Sequence, residues 1–396
     1  MSQHLLHGFE TLFQHSPVVM DGGLGTVLEA ELGPSVSNSP LWSAHAILSD
    51  PEVLVKAHLG FLEAGARLIS TSTYQCSLET FSRAGFGEES SKTLMRQSVH
   101  LAHEARSRFQ AQTATGIHSG AEQCADRHPS VFVALSLGPF GATLRPTQEF
   151  QAFYPPPYGP REYIPGGPNK NRFDNSEDEL LAVDALANFH LERLAVFAAE
   201  AQTWECIDCI AFETVPLRRE VTAIRKAMGW LQQRLAAEKR DYTTKPWWIS
   251  CVFPNGELPE DTSSPGVKVQ LTELLDAAFR KEGTADLLAA PSGFGINCTS
   301  LKYIRPLSVQ VKNYFKQNER SAPWLILYPN GSDIYDEAQQ AWIAVGTDAK
   351  EWAQELARIV ETEGINERLL VGGCCRTGPK EIAALDISLR SMLHSL

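Results

Sequence analysis

The feature that most narrows the fold of this 396-residue chain is a repeated alternation of eight short apolar runs with helical patterns. The runs are "PVVMDGG" ending near Asp21, "ARLISTSTYQ" from Ala66, "VFVALSLGPF" from Val131, "CIAFETVP" from Cys209, "WWISCVF" from Trp247, "SGFGINC" ending at Cys298, "PWLILYPN" from Pro323 and "RLLVGGCC" ending at Cys375. Short, β-branched and continuously apolar, they read as strands buried on both faces, the pattern of a parallel sheet. The segments between them read as helices. One has Asp50 as N-cap and Pro51 at its first position, then Leu54, Ala57, Phe61 and Leu62 on one face, and stops at Gly65. The last opens on "TGPKE". Eight β-then-α units predict an α/β chain folded as a (β/α)8 TIM-type barrel, with a doubly wound open sheet as the alternative that uses the same alternation.

In such a barrel the chemistry lies where strands end and βα loops begin, so the last residues of each run carry the most weight. The expected organisation is a single barrel domain over residues 1–396, with loop insertions near 110–130, 145–178 and 254–266. The first insertion precedes strand three and reads as exposed filler. The other two follow strands three and five and are expected over the catalytic mouth. Tyr154, Tyr158 and Tyr163 give the second insertion an aromatic surface that could close over a ligand, against the alternative of a plain surface loop.

Composition excludes several partners. A formal charge of -12 argues against a nucleic-acid or anionic-lipid partner, because both reward clustered Lys and Arg. No run reaches membrane-spanning length. The start lacks a basic region followed by an apolar segment and a small-residue cleavage site, so no secretory leader is read. Eight scattered cysteines are too sparse for a disulfide scaffold and are expected to stay reduced, in the cytosol. The chain ends just after the eighth helical pattern, and a monomer is expected.

Cys374 and Cys375 stand side by side behind Gly372 and Gly373. Neighbours on an extended strand face opposite ways, so both thiols can serve one site only where the strand ends and turns. A third cysteine, Cys298, ends strand six, and the fold can bring all three together. Three thiolates with an open fourth position are the pattern of a catalytic zinc. From spacing and placement alone this reading stands level with buried structural cysteines. Cys206 and Cys209, in "CIDC", have metal or redox spacing but lie at the opposite face, with no second pair to complete a site. Cys76, Cys124 and Cys251 are isolated. No histidine spacing supports a hydrolase site.

Two acidic residues, Asp21 and Glu213, also end strands. Carboxylates at a barrel mouth can hold an ammonium, and the backbone amides of Gly22 and Gly23 can approach a carboxylate, so together they suit an α-amino acid. The alternative for "DGGLG" is a simple strand-to-helix turn.

The motifs "MDGGLGT", "PLWSAHAILSDPE", "AGARLISTSTYQ", "LSLGPFGA", "AFETVP", "GINCTS", "YPNGS" and "GGCCRTGP" together resemble the homocysteine S-methyltransferase family. The resemblance runs nearly end to end. It implies zinc on Cys298, Cys374 and Cys375, and substrate contacts from Asp21, Gly22, Gly23, Thr73, Glu213 and Asn297. The implied reaction is methyl transfer from a sulfonium donor, S-methylmethionine or S-adenosylmethionine, to the thiol of homocysteine, giving methionine. The "PLWSA" segment resembles the sulfonium branch more than the betaine branch. Betaine-dependent transfer is the alternative, and a zinc hydrolase or a non-enzymatic zinc- or thiol-binding protein are the alternatives of other classes. The proline-rich stretch after "GPFGA" departs from the family's short acidic, tyrosine-containing loop, so no donor contact carries over through it. Phe140 or Tyr154 is offered there as an aromatic face for the cation.

Overall fold

The computed structural model describes residues 16–33, 36, 39, 41–114, 130–238, 245–264, 266–280, 288–331, 334–336, 341–343, 348–362 and 368–393. Eight parallel strands form one sheet: β1 (Val18–Val19), β2 (Leu68–Ser70), β3 (Phe132–Leu137), β4 (Cys209–Val215), β5 (Trp247–Cys251), β6 (Gly293–Asn297), β7 (Trp324–Tyr328) and β8 (Leu369–Val371). Neighbours in sequence are neighbours in the sheet, and β1 pairs with β8 through Val18–Leu370 and Val19–Val371. The ring closes where Met20 bridges Leu68. There Arg67 N donates to Val19 O at 2.8 Å and Asp21 N to Leu68 O at 3.0 Å. Closure decides for the barrel over the open sheet. Each of the eight strands lies within the apolar run that predicted it.

Alternation along the strands builds two cores. Val18, Leu68, Ala134, Ala211, Trp248, Ile326 and Leu370 pack with one another inside the barrel, while Val19, Ile69, Val133, Phe212, Ile249, Phe294 and Leu327 face the helices. Cys209 belongs to the inner set and is fully buried, so it serves there as a small hydrophobe.

The helix Pro51–Glu63 starts where the sequence indicates, with the Asp50 side chain accepting from Val53 N at 3.2 Å. It ends at Ala64, followed by Gly65 at φ +107°, a conformation that favours glycine. Other features escape sequence reasoning. The helix Leu24–Leu32 follows "DGGLG", as a strand-to-helix turn requires, but its extent had no signal of its own. The helix Glu88–Ala114 runs into the first insertion, whose residues 115–129, Cys124 among them, lie outside the described residues. Ile334–Asp336 and Ala341–Ile343 pair as an antiparallel hairpin after β7. No described helix is long and apolar enough to cross a membrane.

The same helix carries a buried liability. His58 is fully buried, and neither ring nitrogen has a hydrogen-bond partner. Burial pushes its pKa down from 6.5 to about 4. The neutral ring is therefore what the fold accepts, and the unfolded chain binds the proton first as pH falls. The stability this neutral ring allows is intact above pH 6.5 and is lost between there and about pH 4, by about 3 kcal/mol at most. Urea unfolding of wild type and His58→Leu at pH 7 and pH 4.5 should show the variant gaining relative stability in acid. The difference between the two proteins isolates His58 from the carboxylates of the mouth, which titrate in the opposite sense. An unchanged difference would show that the folded chain protonates the ring as readily as the unfolded chain does.

Candidate functional site

The cysteine pair reaches one site because β8 stops at Val371, three residues before Cys374. Gly372 and Gly373 make the turn, and neither tolerates a side chain. A Cβ on Gly372 would fall 2.3 Å from the Met20 side chain, and one on Gly373 2.2 Å from Thr377 Oγ1. The loop that follows is pinned by its backbone: Gly373 N donates to Asp21 O at 3.0 Å, Cys374 N to Pro329 O at 2.8 Å and Gly331 N to Cys375 O at 2.8 Å. Cys298 follows β6 with φ +48°, a left-handed conformation that costs a non-glycine residue about 1–3 kcal/mol. Trp42 (φ 42°) and Thr214 (φ 59°), also at the mouth, share that conformation.

The three sulfurs lie within 4.8 Å of one another, with Cys298 Sγ 2.8 Å from Cys374 Sγ and 3.8 Å from Cys375 Sγ. Sulfurs on a tetrahedral metal at about 2.3 Å would be separated by about 3.8 Å. The Cys298–Cys375 pair already has that spacing, and the Cys298–Cys374 pair would open by about an ångström to match it. Hydrogen bonding to its two neighbours, then burial, raises the Cys298 thiol well above its usual value. Hydrogen bonds from Cys298 and Cys374 hold Cys375 well below it. A cation arriving among the three sulfurs would draw off the protons they still carry, since metal ligands bind deprotonated. Thiol chemistry, spacing and position therefore fit a soft metal ion. The remaining described cysteines do not join them. Burial pushes Cys76 up to about 12 and Cys209 and Cys251 well above their usual range, as expected for packed thiols.

Beside the sulfurs opens a cavity of about 410 Å³, the size of a small-molecule site. Asp21, Gly22, Gly23, Glu213 and Asn297 line it with Cys298, Cys374 and Cys375. Thr73 does not: its fully buried hydroxyl donates to Ser136 O at 2.6 Å and pairs with Thr71 Oγ1 at 2.6 Å, so it braces the barrel wall. Burial raises both Asp21 and Glu213 to about 7. Among the described residues neither forms an ion pair. Two buried carboxylates without a countercharge suit a cationic ligand. They are not equivalent, because Asp21 is held on both oxygens by Ser70, from N at 2.6 Å and from Oγ at 3.1 Å, whereas the Ser136 hydroxyl bonds only Oε2 of Glu213.

Gly23 is needed for packing more than for anion binding. A Cβ there would fall 2.4 Å from Cys374 O, and its N–H is already given to Thr377 O at 2.8 Å. Asn297 Oδ1 accepts from Thr214 N, and its Nδ2 donates to Thr214 Oγ1, both at 2.8 Å. It thus holds the strained Thr214 beside the sulfurs.

Phe140 and Tyr154 are absent from the lining. Phe140 stacks on Tyr158 with centroids 3.9 Å apart, and Tyr154 OH donates to Glu220 Oε2 at 2.8 Å, both inside the wall. The aromatic residues that line the cavity are Trp42, Tyr74, Phe150 and Tyr328. Trp42 and Tyr74 meet edge to face at 6.2 Å, with room made by Gly25 and Gly138. Trp42 had a signal in "PLWSA"; Phe150 and Glu149, in the insertion after β3, had none.

A closed parallel barrel that gathers at its C-terminal mouth three thiols able to hold a metal ion, next to buried carboxylates, has the layout of a barrel enzyme. The sequence profile described as homocysteine S-methyltransferase matches residues 18–389. The chain belongs to that family, and the methyltransferase class expected from its motifs is the one found. It is 30% identical to Homocysteine S-methyltransferase 3 of Zea mays, over 95% of this chain and 91% of the relative. It is 28% identical to Selenocysteine Se-methyltransferase of Brassica oleracea var. italica over the same shares. Its fold is similar to the crystal structure of the homocysteine methyltransferase MmuM from Escherichia coli in its metallated form. That match has a TM-score of 0.63 at 24% identity and covers 96% of this chain and 99% of the other.

Proposed function

We propose that this chain transfers a methyl group from a sulfonium amino acid to the thiol of homocysteine, giving methionine, with zinc held by Cys298, Cys374 and Cys375. The three converging sulfurs beside Glu213 carry the reading. Soft thiolate ligands favour zinc among common divalent ions. Three thiolates outweigh the charge of Zn²⁺, so a bound zinc would act as a weak Lewis acid that keeps a fourth, substrate thiol ionised and nucleophilic.

The chain's own residues supply the rest. Glu213 is placed to take the ammonium of homocysteine, and Asn297 keeps Thr214 fixed beside the sulfurs. Trp42 and Tyr74 wall off water and offer π faces to a cation. In the displacement the homocysteine sulfur forms a bond to the methyl carbon while the donor's S–CH3 bond breaks, its electron pair returning to the donor sulfur. Thiolate and sulfonium become two neutral thioethers. Charge disappears in the transition state, so a dry pocket accelerates the step relative to water, and alignment of the two sulfurs with the methyl is the main geometric demand.

Among the described residues no histidine or carboxylate joins the sulfur cluster, which disfavours a hydrolase. The same reading treats residues 1–396 as one barrel domain and the protein as a cytosolic monomer acting on small molecules. The seven described cysteines are all unpaired, in keeping with a reducing compartment. The test is a donor panel: metal-loaded protein with homocysteine and, separately, S-methylmethionine, S-adenosylmethionine, betaine and methyl-tetrahydrofolate, with methionine measured. S-methylmethionine should work best and S-adenosylmethionine detectably, since both release a neutral thioether, while betaine must expel a poorer leaving group. Betaine as the sole donor would move the protein to the other branch of the family. No methionine from any donor would reject the transferase reading.

A further inference from the structure

The insertion after β3 turns inward and brings Arg145, Glu149 and Phe150 to the cavity. It is firmly held. Glu220 accepts from Phe140 N at 2.7 Å and from Tyr154 OH at 2.8 Å, with His190 Nε2 3.0 Å away, and Gln148 N donates to Gly141 O at 2.8 Å. Arg145 Nη2 reaches across to Ser39 O at 2.5 Å. Glu149, in contrast, has a wholly buried Oε2 with no hydrogen-bond partner. Burial raises its carboxyl to about 7, opposed by its own backbone amide, Thr147 and the Arg145 guanidinium.

Besides Glu29 on the helix Leu24–Leu32, the charged lining has two poles. Asp21 and Glu213 stand at the ends of β1 and β4, while Arg145 and Glu149 come from one loop and feel each other's charge. The first pole is anionic and matches one ammonium beside the sulfurs. The second carries both signs, four residues apart, which matches the α-carboxylate and α-ammonium of a second amino acid. Trp42, Tyr74 and Phe150 line the same cavity and bring to it the aromatic π systems that a sulfonium favours.

We propose that Arg145 and Glu149 are the recognition pair for the methyl donor. Arg145 takes its α-carboxylate and Glu149 its α-ammonium, so the site selects a sulfonium amino acid over methyl donors that lack an amino group. This rests on the reading of the cavity as a methyl-transfer site.

Calorimetric titration of the metal-loaded protein with S-methylmethionine and with dimethylsulfoniopropionate, a sulfonium that has a carboxylate but no amino group, separates the roles. Glu149→Gln should weaken S-methylmethionine on the order of a hundredfold, the scale of one buried charge-assisted contact, and leave dimethylsulfoniopropionate within about twofold. Arg145→Gln should weaken both ligands, since both have a carboxylate, and it keeps the proposal testable if the Glu149 variant fails to fold. Homocysteine KM and metal content should not move in either variant. Equal losses for both ligands in Glu149→Gln, or none for either, would overturn the pairing while leaving the transferase reading intact. Wild-type protein that binds neither sulfonium would instead reject the sulfonium-donor reading on which the pairing rests.

Discussion

Cys375→Ser is expected to lose metal and turnover together. Metal analysis of the wild type should give about one zinc per chain, as three thiolates with one exchangeable position require. A serine hydroxyl stays protonated at neutral pH and is a poor partner for a soft metal, so two thiolates would remain where three are needed. A free thiol near pKa 8.5 is about 3% ionised at pH 7, so loss of ionisation alone costs about thirtyfold before positioning is counted. Cys298→Ser and Cys374→Ser should behave alike, whereas Cys206→Ser, outside the cavity, should change neither quantity. Zinc affinity should also weaken with acidification, because the ligands bind deprotonated. Retention of full zinc and turnover in Cys375→Ser would sink the three-sulfur site.

Glu213→Gln should leave zinc in place and raise the KM for homocysteine. Removing a buried charge-assisted contact costs about 2 to 5 kcal/mol, about thirtyfold to several-thousandfold, much of it from stranding the partner ammonium. Glutamine keeps an acceptor for the Ser136 hydroxyl, so the barrel wall is preserved. Asp21→Asn should act differently, because both oxygens of Asp21 brace Ser70 at the seam between β1 and β2. Its larger effect is expected on unfolding temperature, with a smaller one on KM. An unchanged homocysteine KM in Glu213→Gln would remove the residue from the acceptor site.

The strands were legible because each is a continuous apolar run between turn residues, and a sheet covered on both faces demands that composition. Pro51 and Pro379 marked helix starts for an equally local reason: a residue without an N–H fits only the first turn. The cysteine site was legible because its parts stand at strand ends, where a barrel concentrates its chemistry. Thr73 was misplaced because a motif one turn past a strand does not say which side chains face inward. There Tyr74 takes the cavity position and Thr73 the wall. Phe140 and Tyr154 were offered to the ligand for their aromaticity, but the buried Glu220 carboxylate claims the Tyr154 hydroxyl and the Phe140 amide, which ties both residues into the wall.

The sequence by itself determined the order of the strands, the β-then-α alternation that a barrel or an open sheet can use, and the three thiols at strand ends, since these follow from local periodicity and residue type, whereas ring closure came from the tertiary pairing of Met20 with Leu68. Tertiary structure alone decided which groups share the cavity and how each is committed. Glu149 and Trp42 are 107 positions apart along the chain, and no local pattern links them. Whether a carboxylate is bonded on both oxygens, as Asp21 is, or keeps one buried and unpartnered, as Glu149 does, depends on atoms contributed by other segments. The free energy of a buried charge is set by those neighbours, and they come together only when the ring of strands closes.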